Sequence, residues 1–225
     1  MKPLRHLSTR SGGSDAGFAV LTLAVLALFA ATPVAARTWL VPSEVTTIGA
    51  AVDSAAYGDT VLVSCGHYYE AGIAMKSGVT LKSATGDPSC ATIDPYFAAR
   101  AIVCSGVDST ATIEGFTIQN GYTDVNGGGI YCYDSFLTIS SCRFTGNQAV
   151  GGGAMRCDQS SPLIEDCAFE FNNASGNGAA LSCYESSPTI DNCTFFYNMT
   201  GVKGGAIACY AGSEPEITHS VFQNN

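Results

Sequence analysis

Few residues of this chain have the type and spacing to do chemistry. Glu165 and Asp191 follow the central apolar residue of two successive copies of a repeat, a position that Glu114, Ser140 and Thr218 hold in other copies. If the copies stack, the two carboxylates lie side by side, about 5 Å apart, facing water. Ca²⁺ takes roughly six to eight oxygens, so Glu165 and Asp191 are a weak candidate pair, and Ca²⁺ stays the alternative to no cofactor. Asp166, next in the chain, points elsewhere or falls in the turn. Arg143, Arg156 and Lys203 each occupy a different repeat position: before a Phe, before a Cys and before a Gly pair. They need not converge on the carboxylates. A lyase needs carboxylates for Ca²⁺ with an Arg or Lys base, and a hydrolase needs two or three close carboxylates. Neither set assembles, and no catalytic residue is assigned.

Cysteine chemistry is the other possibility, with ten in the chain. Cys104, Cys132, Cys157, Cys183 and Cys209 form one file at intervals of 28, 25, 26 and 26, and Cys142, Cys167 and Cys193 form another that Ser220 continues. Stacked in register, their Cβ atoms lie near the strand spacing of about 4.8 Å, wider than a disulfide prefers. Bonds between successive coils would therefore need distortion, and buried thiols acting as small apolar fillers are expected. Cys65 and Cys90, outside both files, are the candidate disulfide pair. Zinc is disfavoured, because there is no Cys-x-x-Cys and His67 and His219 stand apart in sequence.

What positions these residues is a repeat. Gly127-Gly128-Gly129-Ile130, Gly152-Gly153-Ala154-Met155, Gly178-Ala179-Ala180-Leu181 and Gly204-Gly205-Ala206-Ile207 are one phrase, its last residues 25, 26 and 26 apart. A second phrase, Phe-x-x-Asn, recurs at Phe144/Asn147, Phe169/Asn172, Phe195/Asn198 and Phe222/Asn225, with a looser copy from Phe116 to Asn120. A short apolar beat lies between them, as at Leu137-Thr138-Ile139. Three strand-like pieces per copy of about 26 residues, parted by Gly, Ser-Pro or Asn turns, predict an all-β fold: a single-stranded right-handed parallel β-helix of six to seven coils. Stacking predicts an aromatic file, Phe116, Phe144, Phe169, Phe195 and Phe222. It also predicts an amide file, Asn120, Asn147, Asn172, Asn198 and Asn225, placed at a turn where Asn tolerates the left-handed backbone. Both files are structural.

The N-terminal text differs. Lys2, Arg5 and Arg10 precede an apolar run, Phe18 to Ala31, that ends in Pro33-Val34-Ala35-Ala36. That predicts a secretory signal over residues 1–36, with an uncleaved anchor as the competing expectation. The remainder then has 7 basic and 18 acidic residues and no basic cluster, which excludes nucleic acid and anionic lipid as partners. It contains no transmembrane span. Residues 37–58 form a cap segment, whose apolar spacing from Thr46 to Ala56 predicts a short amphipathic helix over the end of the stack. The β-helix then covers 59–225 and stops inside a repeat, as a truncated chain would.

The phrase Thr47-Ile48 through Ala55-Ala56, with Gly58-Asp59-Thr60-Val61 and Gly66-His67-Tyr68-Tyr69-Glu70, resembles the opening of pectin-lyase-like β-helix proteins. The GGAI and FxxN repeats resemble those of polymorphic outer-membrane proteins, which are surface-exposed adhesins. These resemblances imply export and a secreted or cell-surface place. The departure is that no membrane β-barrel follows the repeats. The favoured expectation is a non-catalytic structural or adhesive module, with polysaccharide or another cell surface as partner. The alternative is a carbohydrate-active enzyme of the same fold, such as a Ca²⁺-dependent polysaccharide lyase or a glycoside hydrolase.

Overall fold

The computed structural model describes residues 35–225. The expected signal segment therefore lies outside the described residues, except for Ala35 and Ala36. Strands of two to four residues stack in parallel into three main sheets. The first sheet has eight strands, from Thr38–Val41 and Thr60–Val63 through Leu163–Glu165 and Thr189–Asp191 to Glu216–Thr218. The second has seven, from Gly66–Tyr68 through Phe116–Gln119, Arg143–Thr145 and Ala168–Glu170 to Val221–Gln223. The third has six, from Ile73–Ala74 through Ile130–Tyr133, Met155–Asp158 and Leu181–Tyr184 to Ile207–Tyr210. A fourth, three-stranded sheet (Gln148–Ala149, Asn173–Ala174 and Met199–Thr200) bridges the second and third.

Alternation along each strand sends every second residue inward. Leu81, Ile113, Ile139, Ile164 and Ile190 line the first sheet, and Ile102, Ile130, Met155 and Leu181 the third, all fully buried. The cysteine file Cys104–Cys132–Cys157–Cys183–Cys209 runs in register beside the latter. The turn entering the third sheet needs glycine. Gly152 has φ +64°, and a Cβ there would lie 2.1 Å from the Met155 carbonyl oxygen; Gly127, Gly178 and Gly204 share that conformation.

Two files begin later than the repeat text predicts. Phe144 pairs with Ile118, not Phe116, so the aromatic file is Phe144, Phe169, Phe195 and Phe222, with ring centroids 4.8, 4.8 and 4.6 Å apart. Phe116 is buried two residues earlier, in register with Ala91. The reason is spacing: Ile118 follows Ile113 by the same five residues that part Phe144 from Ile139, so the true counterpart of Phe-x-x-Asn is Ile118-x-x-Gly121. Asn120 is accordingly not a member of the amide file; it sits at the left-handed position that Gly146, Phe171 and Tyr197 hold in later coils.

The amides themselves lie one residue past that bend and are not left-handed. Asn172 Oδ1 accepts from the Asn147 backbone and side-chain N–H (3.1 and 3.0 Å), and its Nδ2 donates to the Phe144 carbonyl and Asn198 Oδ1 (3.0 and 2.9 Å). Asn198 repeats this with Asn225. Asparagine is used here because one side chain supplies an acceptor and two donors between coils, while the bend is made by its neighbour.

At the N-terminal end, Ile48–Ser54 is helical, with Thr47 as N-cap. Glu70 accepts from the Ile48 and Gly49 N–H groups at 2.8 and 2.9 Å, which satisfies donors the first turn leaves free. The stack starts inside the expected cap segment, since Thr38–Val41 already pairs with Thr60–Val63. Among the described residues no helix is long and apolar enough to cross a membrane.

Candidate functional site

The structure brings Glu165 and Asp191 into register on the first sheet, with Ser140 before them and Thr218 after. Asp191 is engaged by Thr218 Oγ1 and His219 Nδ1, both at 2.7 Å. Those two hydrogen bonds, that from His219 the stronger, hold its carboxyl below the usual range. Among the described residues no three His, Cys, Asp or Glu side chains converge as a metal site. The basic residues pair elsewhere: Arg143 with Glu170 and Arg156 with Asp158, each at 2.6 Å.

Cys65 and Cys90 are disulfide-bonded, with Cα atoms 4.3 Å apart. This link joins successive coils, because the next residues, Gly66 and Ala91, are register partners. It is the pair outside both files, and the expected distortion concerns the in-register files, whose thiols are unbonded. Both residues stand immediately before the paired strands Gly66–Tyr68 and Ala91–Ile93, and the Gly66 N–H donates to the Cys90 carbonyl at 2.8 Å. The eight cysteines of the files are free thiols, all buried except Cys209.

The chemistry-bearing surface lies on the outer face of the third sheet, between the positions of the cysteine file. One outward row runs Val103, Tyr131, Arg156, Ser182, Ala208; the other runs Ser105, Tyr133, Asp158, Tyr184, Tyr210. Tyr131, Tyr133, Arg156, Asp158, Gln159 and Tyr184 enclose an open cleft of about 320 Å³. Arg156 and Tyr184 also wall a second cleft of about 290 Å³, bounded by the turns at Gly151 and Gly176-Asn177 and by Tyr210.

Arg156 is the hinge of this surface. Its Nε donates to Asp158 Oδ1 at 2.6 Å, its Nη1 to Ser182 Oγ at 2.7 Å, and its guanidinium lies 5.7 Å from the Tyr184 ring centre. Arg100 sits 4.7 Å over the Tyr131 ring and donates to the Asn126 carbonyl at 2.7 Å. Burial, and then the Asp158 carboxylate, push the Tyr131 phenol up to about 12, so it remains a hydroxyl donor across the physiological range. The result is a band of aromatic residues along the stack axis, with the Arg156 charge met by Asp158. Sequence reasoning weighed Arg156 alone and passed over the tyrosines around it. The signal was the tyrosine directly after Cys132, Cys183 and Cys209, which alternation turns outward.

A polar cluster outside the cleft belongs to the fold. Asp94, only 3% exposed, accepts from Gln119, Asn120 and His67 at 2.8, 3.0 and 2.9 Å on Oδ2 and from the Tyr96 N–H at 2.8 Å on Oδ1. Burial pushes its carboxyl up, but the hydrogen bonds from Gln119, Tyr96, His67 and Asn120 outweigh that and hold it below the usual range. A depressed folded-state value contributes stability above the ordinary aspartate range, which is lost as pH falls through the folded-state value. Asp94→Asn, which turns one acceptor into a donor among donors, is expected to cost about 2–3 kcal/mol at neutral pH. In urea titrations its deficit against wild type narrows between about pH 5 and pH 2; a deficit constant over that range contradicts the charge argument.

Stacked parallel strands, inward files of like residues and a cleft on one outer face define a parallel β-helix. The model of the family described as right handed beta helix region matches residues 93–225, more than half the chain, and the chain belongs to that family. Two crystal structures of a pectin methylesterase from Aspergillus niger, in its penultimately deglycosylated and deglycosylated forms, are similar to it at 15% and 14% identity. Each covers 86% of this chain and 87% of its own, with TM-scores of 0.47 and 0.46. At that distance the likeness says nothing of activity. No curated protein matches the chain.

Proposed function

We propose that this chain is an exported, non-catalytic β-helix module, secreted or held at a cell surface, that binds polysaccharide along its third sheet. The observation that carries it is the axial band of Tyr133, Tyr184 and Tyr210 beside the Arg156–Asp158 pair. Flat apolar ring faces with a few fixed polar groups suit pyranose rings, which offer apolar C–H faces and a polar rim. Tyr133 and Tyr184 lie two coils apart, about 9.6 Å, close to the length of two linked sugar units. Glycosidic hydrolysis uses two carboxylates flanking the bond, whereas the cleft has a single carboxylate, Asp158, in an ion pair with Arg156. Glu165 and Asp191 lie on the first sheet. The signal-like residues 1–36 support export.

Tyr184 is 42% exposed, so Tyr184→Ala is expected to cost under about 1 kcal/mol of stability. It should weaken binding about tenfold or more, a loss of about 1.4 kcal/mol. Affinity electrophoresis against a polysaccharide panel, with and without a Ca²⁺ chelator, measures this. Release of unsaturated sugars from an acidic polysaccharide, abolished by chelation, would instead make the chain a lyase.

A further inference from the structure

Three buried side-chain polar atoms have no hydrogen-bond partner among the described residues: Ser83 Oγ, Asn177 Oδ1 and Tyr210 OH. Native folds contain few such atoms, and each costs about 1–3 kcal/mol when left unpaired. Two of the three, Asn177 and Tyr210, line one cleft, the 290 Å³ pocket walled by Arg156 and Tyr184. They come from different elements. Asn177 stands on the turn paired with Lys203, and Tyr210 ends a strand of the third sheet.

The floor between them is kept open. Gly151 pairs with Asn126, and a Cβ on it would lie 2.9 Å from Asn126 Oδ1 and 3.6 Å from Ser182 Oγ. Its φ is not left-handed, so the turn does not require glycine at this place, and a side chain there would crowd the Asn126 amide at the cleft floor.

The chemistry of the lining selects an occupant. A carbonyl oxygen such as Asn177 Oδ1 only accepts, and a tyrosine hydroxyl donates and accepts. The occupant must therefore bring a donor to Asn177 and a group of either kind to Tyr210. A uronate unit could offer a hydroxyl to Asn177, but its carboxylate would enter a cleft whose lining cation, Arg156, is already met by Asp158 at 2.6 Å, in a chain of formal net charge −9. We propose that this pocket is a specificity subsite for an uncharged, hydroxyl-bearing sugar unit, so that the cleft takes neutral polysaccharide and rejects polyuronate; this rests on the polysaccharide-binding function above.

The test uses the full chain with two near-isosteric variants, Tyr210→Phe and Asn177→Leu. The probes are soluble neutral polysaccharides (glucan, galactomannan, xylan) and acidic ones (polygalacturonate, alginate), read by affinity electrophoresis and calorimetry, with Tm measured in parallel. The expected result is retention by at least one neutral polymer and none of the acidic ones. Each variant should lose about tenfold in affinity while its Tm holds or rises, because an unpaired buried polar atom has been removed. Retention by acidic polymers alone overturns the subsite while leaving polysaccharide binding intact. Unchanged affinity in both variants, or affinity loss tracking a fall in Tm, overturns it as well. No retention by any polymer overturns the binding function and the subsite together.

Discussion

Asn172→Ala is expected to be among the most damaging single substitutions in this protein, costing about 3–5 kcal/mol. Four hydrogen bonds disappear at once, and the Asn147 backbone N–H and the Phe144 carbonyl lose the bonds that Asn172 gives them inside the stack. Each buried group left unpaired costs about 1–3 kcal/mol, against a typical total of about 5–15 kcal/mol for a domain. Asn172→Asp separates the donors from the acceptor. It keeps an acceptor for Asn147 but aims a carboxylate at the Phe144 carbonyl and at Asn198 Oδ1. Burial raises the folded-state value of such an acid, so its penalty is full at neutral pH and shrinks as the pH falls through that value. Asn120→Gly is the control. Asn120 sits at the left-handed bend that Gly146 takes one coil later, and its contribution is one 3.0 Å hydrogen bond to Asp94, about 1 kcal/mol. Urea denaturation of the three variants at pH 7 and pH 5 decides it. Equal losses at positions 120 and 172 would restore the amide file to the extent the repeat text predicts.

That contrast shows where the sequence is legible. Inward positions face the same surroundings in every coil, so selection of like residues writes a period of 25 to 28 into Phe, Asn, Gly and Cys. The period finds the strands, the coil number, the thiol files and the register of Glu165 with Asp191. It fails at Phe116 and Asn120, because a loose phrase match by residue type tolerates offsets of two and one residues and a register does not. It fails more completely on the third sheet. The outward row Ser105, Tyr133, Asp158, Tyr184, Tyr210 has no single identity to repeat, and its ring positions emerge only once alternation and register are both known. The pocket beside it is further removed, since its walls combine that row with the turns at Gly151 and Gly176-Asn177. The disulfide is legible by contrast with the files: Cys65 and Cys90 are the two cysteines that the period does not claim, and they are the bonded pair.

Phe169→Ala is the second large loss expected, about 3–5 kcal/mol. Phe169 is fully buried, and its ring stacks on Phe144 and Phe195 at 4.8 Å on each side, with interplanar angles of 4° and 2°. The cavity has little means to close, because the backbone at 169 is held in register with 144 on one side and 195 on the other. Phe222→Ala removes the same side chain from a ring with one stacking partner that is already 46% exposed, and should cost about 1 kcal/mol. In a stack whose stability is a sum over neighbouring coils, a defect at one coil weakens the coupling across it. Denaturation of Phe169→Ala should therefore broaden into two steps, with Thr194–Phe196 and the coil beyond losing hydrogen-exchange protection before Thr138–Ser140. The cleft straddles the break, with Tyr133 on one side and Tyr184 and Tyr210 on the other. Polysaccharide binding should then vanish at a denaturant concentration where half the stack is still folded, although Phe169 points away from the cleft. A single sharp transition with binding lost only at its midpoint would mean that the coils unfold as one unit.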